Sequence, residues 1–249
     1  WLHEPLRDVA QVSRRQQWIS DVLAARVGDD IRGSVKPVGD LERILTRINL
    51  GSASPRDIGK LRDALGQLPT IKQTLNAIAG ELNQQLIASL GDFAQLYHKL
   101  TEALVEEPPV TLRAGGVFAL GYSEELDRLR KVTSYSANWL AELERDERER
   151  TGITALKVGY NRVHGYYIET SKAAKGDVPE EYVRRQTLKN AERYITPALK
   201  AFEEDALRSQ GQSLQLERRL FGDLLIDLAG QASTLRNAAE AVAQSDVLA

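Results

Sequence analysis

TGITALKVGYNRVHGYYIETSKAAKGDVPEEYVRRQTLKNAERYIT, residues 151–196, is the stretch whose reading decides the fold. β-Branched and aromatic residues gather there in two short runs, Val163 to Thr170 and Tyr182 to Leu188, with turn formers between them, which predicts a small sheet. The chain on either side carries apolar residues at spacings of three and four, which predicts helix. The stretch holds eight bases (Lys157, Arg162, Lys172, Lys175, Arg184, Arg185, Lys189, Arg193) against five acids (Glu169, Asp177, Glu180, Glu181, Glu192), a net +3. The whole chain is −2, so the remainder is −5. A basic β module at the tip of an acidic helical frame is the expectation.

With 249 residues, 42% of them apolar, the chain can bury a real core. A near-neutral total charge speaks against a histone-like protein and leaves local patches to be judged segment by segment. The absence of cysteine removes disulfides, thiolate nucleophiles and sulfur-ligated zinc, and fits a reducing cytoplasm. No apolar run approaches the roughly 20 residues that span a bilayer. Residues 1–10 lack a basic segment followed by an apolar one, so neither membrane nor secretion is expected. Methionine is absent too, even at position 1, so the chain reads as an excised piece of something longer.

Working outward, the apolar spacing from Leu2 to Val27 predicts an amphipathic helix closed by Gly28. Asp40 caps a second helix, Leu41 to Leu50, stopped by Gly51, and Ser54-Pro55 opens a third that runs to Pro69. Further helical pieces reach about Val105. Pro108-Pro109 then breaks the pattern, and PVTLRAGGVFAL predicts a hairpin around Gly115-Gly116. Tyr122 to Arg150 predicts a helix about 42 Å long. Its last seven residues, ERDERER, have nothing apolar to bury and are expected in solvent. Thr196-Pro197 opens a returning helix, weakened at Gly211 and Gly222. The fold class is mainly α with a small inserted antiparallel β domain. The division is 1–150 and 197–249 for a helical body with two long antiparallel helices, and 151–196 for the β module at their tip.

A β module at the end of a long arm adds little to the body's core, so its position calls for a partner. RRQTLKN, from Arg184 to Asn190, offers two guanidiniums, an ammonium, amides and a hydroxyl, the donors that contact phosphate oxygens. On a regular strand Arg184, Gln186 and Leu188 share one face and Arg185, Thr187 and Lys189 the other. Gly159 and Gly165 would let a backbone approach a ligand. The plainer reading of the same segment, and the usual one for a charge run, is an ordinary solvated strand with basic decoration. The five tyrosines Tyr160, Tyr166, Tyr167, Tyr182 and Tyr194 serve either a minor core, the favoured role, or stacking on single-stranded bases. Catalysis finds little support. His3, His98 and His164 lack metal-ligand spacing, and GxxxxGK[ST], GxGxxG and GxSxG do not occur.

RERTGITALKVGYNRVHGYYIETS and YVRRQTLKNAERYITPALK, with WLHEPLRD, DLERILTRINLGSASPRDIGKLRDAL and GGVFALGYSEELDRLR in the same order, resemble the MutS family of bacterial DNA mismatch-repair proteins over essentially the whole chain. The resemblance implies a core, or lever, domain with an inserted clamp that touches the backbone of double-stranded DNA without reading sequence. It also implies that the parent is a homodimeric ATPase that uses ATP and Mg in a separate domain, acts with the downstream protein MutL, and works at the nucleoid. The implied DNA-binding residues are Lys189 and Asn190 first, then Arg184 and Thr187, followed by Lys157, Asn161 and His164, with no cofactor or metal in this piece. Phe202-Glu203-Glu204 lies on the returning helix and is not expected to be the family's Phe-x-Glu mismatch reader. Ala198 departs from the Glu usual in related sequences, which removes an acid from a helix's first turn. A rival of another class is a helical scaffold whose tip binds protein.

Overall fold

The computed structural model describes residues 6–161, 165–172 and 178–249, with the backbone alone at 132–137. Two compact units emerge, Trp1–Tyr122 with Glu217–Ala249, and Ser123–Leu216. In the first, α1 (Val9–Ala25), α2 (Gly28–Val35), α3 (Leu41–Asn49), α4 (Pro55–Leu75), α5 (Glu81–Ser89) and α6 (Ala94–Ala103) precede the sheet in sequence, and α9 (Ala232–Leu248) follows it. In the second, α7 (Glu124–Thr151) leads into four strands, and α8 (Pro197–Gly230) begins there and enters the first unit at Glu217. The mainly helical class with an inserted antiparallel sheet is what the structure has.

The centre of the first unit is α4, which buries Ile58, Leu61, Leu65, Leu68, Ile71 and Leu75 against α2 and α6. That stripe carries the helix past Pro69, where the sequence predicts its end. Proline forfeits one intrahelical bond, but burial of Ile71 and Leu75 beyond it outweighs the loss. α9 packs on α3, α5 and α2.

The first helix also differs from expectation. It closes at Ala25 because Arg26 turns left-handed (φ 57°, ψ 34°) and donates its N–H to Leu23 O. Gly28 opens α2 instead of closing α1, helped by Asp29 and Asp30 at the positive end of the new helix. The hairpin expected at 109–120 does not form. The turn closes earlier, with Gly115 N–H donating to Leu112 O (3.4 Å); Gly115 (φ 72°) and Gly116 (φ 80°) follow in the left-handed region, and the chain after them pairs with the end of α6. Leu104 bridges Phe118, Val105 N–H donates to Val117 O and Ala119 N–H to Ala103 O. Two side chains from elsewhere fix that arrangement. Arg62 donates to Val105 O (3.0 Å) and Glu106 O (2.8 Å), and buried Glu217 accepts from Gly116 and Val117 N–H at 3.1 Å each. The returning helix survives Gly211 and Gly222 and stops at Gly230, after which α9 is a helix of its own.

Asn83 is a buried polar hub. It accepts from the Trp18 indole (3.2 Å) and donates to Leu75 O and Ile78 O (2.8 Å each), which ties α1, α4 and α5 together. Asn83→Leu, similar in size but apolar, should lower the unfolding free energy by about 2–4 kcal/mol in a urea titration followed by tryptophan fluorescence, because it strands those partners.

Ser54 and Asp57 form a reciprocal cap at the start of α4, and Arg47 adds a second hold on Asp57 at 3.0 Å. Burial pushes the Asp57 carboxyl up, but Ser54 and Arg47 outweigh it and leave its pKa below the usual carboxylate value. The stability this group contributes is therefore present above about pH 4, the unfolded value, and is lost as pH falls through the lower folded one. Asp57→Asn should flatten that acid limb in a plot of Tm against pH.

Candidate nucleic-acid interface

Four strands make the sheet: β1 (Lys157–Asn161), β2 (Gly165–Ser171), β3 (Val183–Thr187) and β4 (Ala191–Ile195). Their order is β1-β2-β4-β3 and every pair is antiparallel. The two apolar runs of the sequence correspond to β2 and β3, although Val163 lies outside the described residues. The sequence does not announce β1 and β4, because KVGYN and AERYI mix charge and glycine into short strands. One face is buried. Ile153, Leu156, Ile168, Tyr182, Tyr194, Ile195 and Leu199 form its core, with Trp139, Leu140, Leu143, Val158 and Tyr166 packed against it.

Antiparallel pairing sorts the sheet into two ends. At one, β1 and β4 begin and β2 and β3 finish. Lys157 is the first residue of β1, Lys172 follows β2, Thr187 closes β3, and Lys189 and Asn190 make the turn from β3 to β4. Leu188 N–H donates to Ala191 O (2.8 Å) to close that turn, and Lys172 N–H donates to Asn190 O (3.1 Å) to bring the end of β2 beside it. At the other end lie Asn161, Gly165, Val183 and Ile195. The structure thus brings Thr187, Lys189 and Asn190 beside the end of β2, sets Lys157 at the start of edge strand β1, opposite Glu169, and places Asn161 at the opposite end. His164 is outside the described residues. Lys172 is not in the sequence-predicted set, and only the pairing register reveals its place.

Arginines and lysines behave differently here. Arg184 stands 3.5 Å from Glu192 with its guanidinium carbon 5.9 Å from the centre of the Tyr194 ring. Arg185 is 3.7 Å from Glu203. Arg193 donates to Glu169 (2.7 Å) and Gln186 (3.1 Å) and lies 4.1 Å above the Tyr167 ring. Each of these three arginines has a carboxylate partner. Lys157, Lys172 and Lys189 are exposed and form no ion pair among the described residues.

The strand that carries RRQTLKN is not regular. Arg184 faces Tyr194 and Gln186 faces Arg193, one step apart on β4, so Arg185 is a bulge residue. Residues directly opposite across a pair share a face, and Tyr194 and Arg193 point to opposite faces. Arg184 and Gln186 therefore do not share a face as predicted, and the bulge is the reason.

The glycines and tyrosines serve packing. A Cβ on Gly159 would meet the Tyr167 ring within 3.1 Å, and Gly165 (φ 70°) sits where a Cβ would collide with the Glu203 carboxylate. Their freedom is spent on the protein's own side chains. Tyr182 and Tyr194 are buried, Tyr166 and Tyr167 half-buried, and Tyr160, 56% exposed, leans on Tyr166. These five do not form an exposed row. Phe202 stacks on Trp139 with ring centres 4.0 Å apart, and Glu203 holds Arg185, so Phe202-Glu203-Glu204 is helix surface in contact with its own unit.

The end of α7, expected in bare solvent, is instead bonded to the sheet. Glu144 accepts from Val158 N–H (2.8 Å) and pairs with Arg148 (2.7 Å), which donates to Leu156 O (2.7 Å). Glu147 accepts from the Tyr182 hydroxyl (2.8 Å) and from Arg150, and Arg150 also reaches Glu181 (2.6 Å). The charged run lacks apolar residues, but its partners are polar. Burial and then Glu147 push the Tyr182 phenol well above its ordinary value, and burial and then Glu192 raise Tyr194. The backbone N–H of Glu181 and then Arg150 lower the Glu181 carboxyl.

Among the described residues no group of three His, Cys, Asp or Glu could hold a metal ion. No helix is long and apolar enough to cross a membrane among those residues. A family model described as MutS domain III matches residues 1–249.

Tyr182→Phe removes the bond to Glu147 and should lower the unfolding free energy by about 1 kcal/mol. Because the phenol's pKa is raised by folding, its contribution is full below about pH 10 and is lost as pH climbs towards the folded value. The variant should lose that alkaline decline, read as Tm against pH from 8 upwards.

Proposed function

The chain belongs to the MutS family of DNA mismatch-repair proteins, as its domain III, and on that footing we propose that its sheet is a clamp that holds duplex DNA by the phosphate backbone without reading sequence. The observation that carries this is the sorting of charge at the sheet. Three exposed ammonium groups without ion pairs among the described residues lie towards one end of the sheet: Lys172 and Lys189 beside the Asn190 amide and the Thr187 hydroxyl, and Lys157 at the start of edge strand β1. Ammonium groups and small polar donors fit phosphate oxygens, which carry no base identity. Arg184 joins only by exchanging Glu192 for a phosphate, and Asn161 is at the wrong end to act with Lys189.

In this reading 151–196 is the clamp, and 1–150 and 197–249 are the core and lever that carry it. The parent would work as a homodimer with ATP and Mg in a separate domain and MutL downstream. In this reading nucleotide chemistry belongs to that separate domain, and the GxxxxGK[ST] motif does not occur in this sequence. A single clamp with few phosphate contacts binds weakly, at about 10⁻⁴ M near physiological salt. Two clamps on one duplex would raise each other's effective concentration.

A salt titration of binding to perfectly paired and mismatched duplexes tests the clamp. With three ammonium groups engaged, log K should fall against log salt with a slope of about −3, and the mismatch should make no difference. Lys172→Glu with Lys189→Glu should abolish binding, whereas Arg184→Glu should weaken it less. Binding that ignores salt, or that survives the double lysine variant, would remove the clamp and favour a protein-binding scaffold.

A further inference from the structure

The sheet's edge strands are β1 and β3, and the last two turns of α7 grip both. Glu144 holds Val158 on β1 through its N–H, and Glu147 holds Tyr182, the residue before β3, through its hydroxyl. Apolar contact between the sheet and the helix is non-directional, so by itself it lets the sheet rock on α7. Directional bonds at two opposite edges remove that freedom. Glu147 is the more enclosed of the two acids, 14% exposed, and it also takes both Nε and a terminal nitrogen of Arg150, which bridges on to Glu181 just before Tyr182.

We propose that Glu147 is a positioning residue for DNA binding: it touches no phosphate, but it fixes the orientation of the sheet so that Lys157, Lys172 and Lys189 meet the duplex together. The proposal rests on the clamp reading above. It makes a prediction of unusual sign. Removing an acid from a DNA-binding unit should tighten binding on charge grounds alone, since the unit's field becomes more positive. If Glu147 orients the sheet, its removal weakens binding instead, because fewer ammonium groups reach phosphates at once.

The experiment compares Glu147→Ala with Glu149→Ala, the same charge change on an exposed neighbour, in binding of the full 249-residue chain to a short duplex. Glu147→Ala should bind about tenfold more weakly at about 0.05 M salt and give a salt slope about one unit shallower, the signature of one lost phosphate contact. Glu149→Ala should bind equally or slightly more tightly. Glu147→Gln keeps an acceptor for Tyr182 and should recover part of the loss, and Tyr182→Phe should shift both quantities in the direction of Glu147→Ala. Glu147→Ala behaving like Glu149→Ala overturns the proposal. Should Glu147→Ala lose the sheet altogether, Tyr182→Phe decides, and wild-type affinity in that variant overturns it. Absence of binding by the unsubstituted chain would sink the clamp reading itself. Amide exchange then judges the orienting role alone, and unchanged protection across β1 and β3 in Glu147→Ala would end it.

Discussion

Ile168, fully buried on β2 beside Tyr194 on β4, marks the constraint on which the tip depends. Four strands of five to seven residues have one face to hide and, among the described residues, no second sheet to hide it against. Such a sheet is stable only when helices cover it. α7 supplies Trp139, Leu140 and Leu143, and α8 supplies Leu199. The sheet is therefore part of the same compact unit as the helix residues that cover it, which extends from Ser123 to Leu216.

That covering explains how charge is distributed. A covered face leaves only the rim and the outer face for polar groups, and the two basic residue types divide them. Guanidinium groups are planar, weakly hydrated and able to stack, so Arg193 lies over Tyr167 while bonding Glu169 and Gln186. Ammonium groups are compact and strongly hydrated, and Lys157, Lys172 and Lys189 stay in water where the strands start and stop. Exposed ion pairs contribute little stability, so the Arg184–Glu192 pair, with Arg184 60% exposed, is a loose partnership. The Glu147 cluster differs because Glu147 is largely enclosed and its phenol and guanidinium partners converge on one oxygen.

Much of this organisation is legible in the amino-acid sequence. Helical spacing, the Ser54-Pro55 start and the concentration of β-formers in 151–196 indicate the class, and the bases in RRQTLKN point to phosphate. Three features are not legible there, each for a physical reason. Strand register cannot be read from a segment with a bulge, so the alternation groups Arg184 with Gln186 and passes over Lys172. A charged run without apolar residues signals solvent only when its partners are unknown, and ERDERER has Val158, Leu156, Tyr182 and Glu181 as partners. Gly115-Gly116 announces a change of direction, and a turn does close just before it at Leu112–Gly115, but a turn does not name what the chain pairs with, and here the partner is the end of α6.

The central claim is that one end of the sheet, and not its faces or its other end, meets DNA. Backbone amide chemical shifts recorded while a short duplex is added test this most directly, because they report position residue by residue without altering the protein. The account predicts shifts concentrated at Lys157, Lys172 and the run from Thr187 to Asn190, with Asn161 and Gly165 unmoved. Shifts centred on Asn161 and Gly165, or spread over Tyr167 and Gln186 on the outer face, would contradict it.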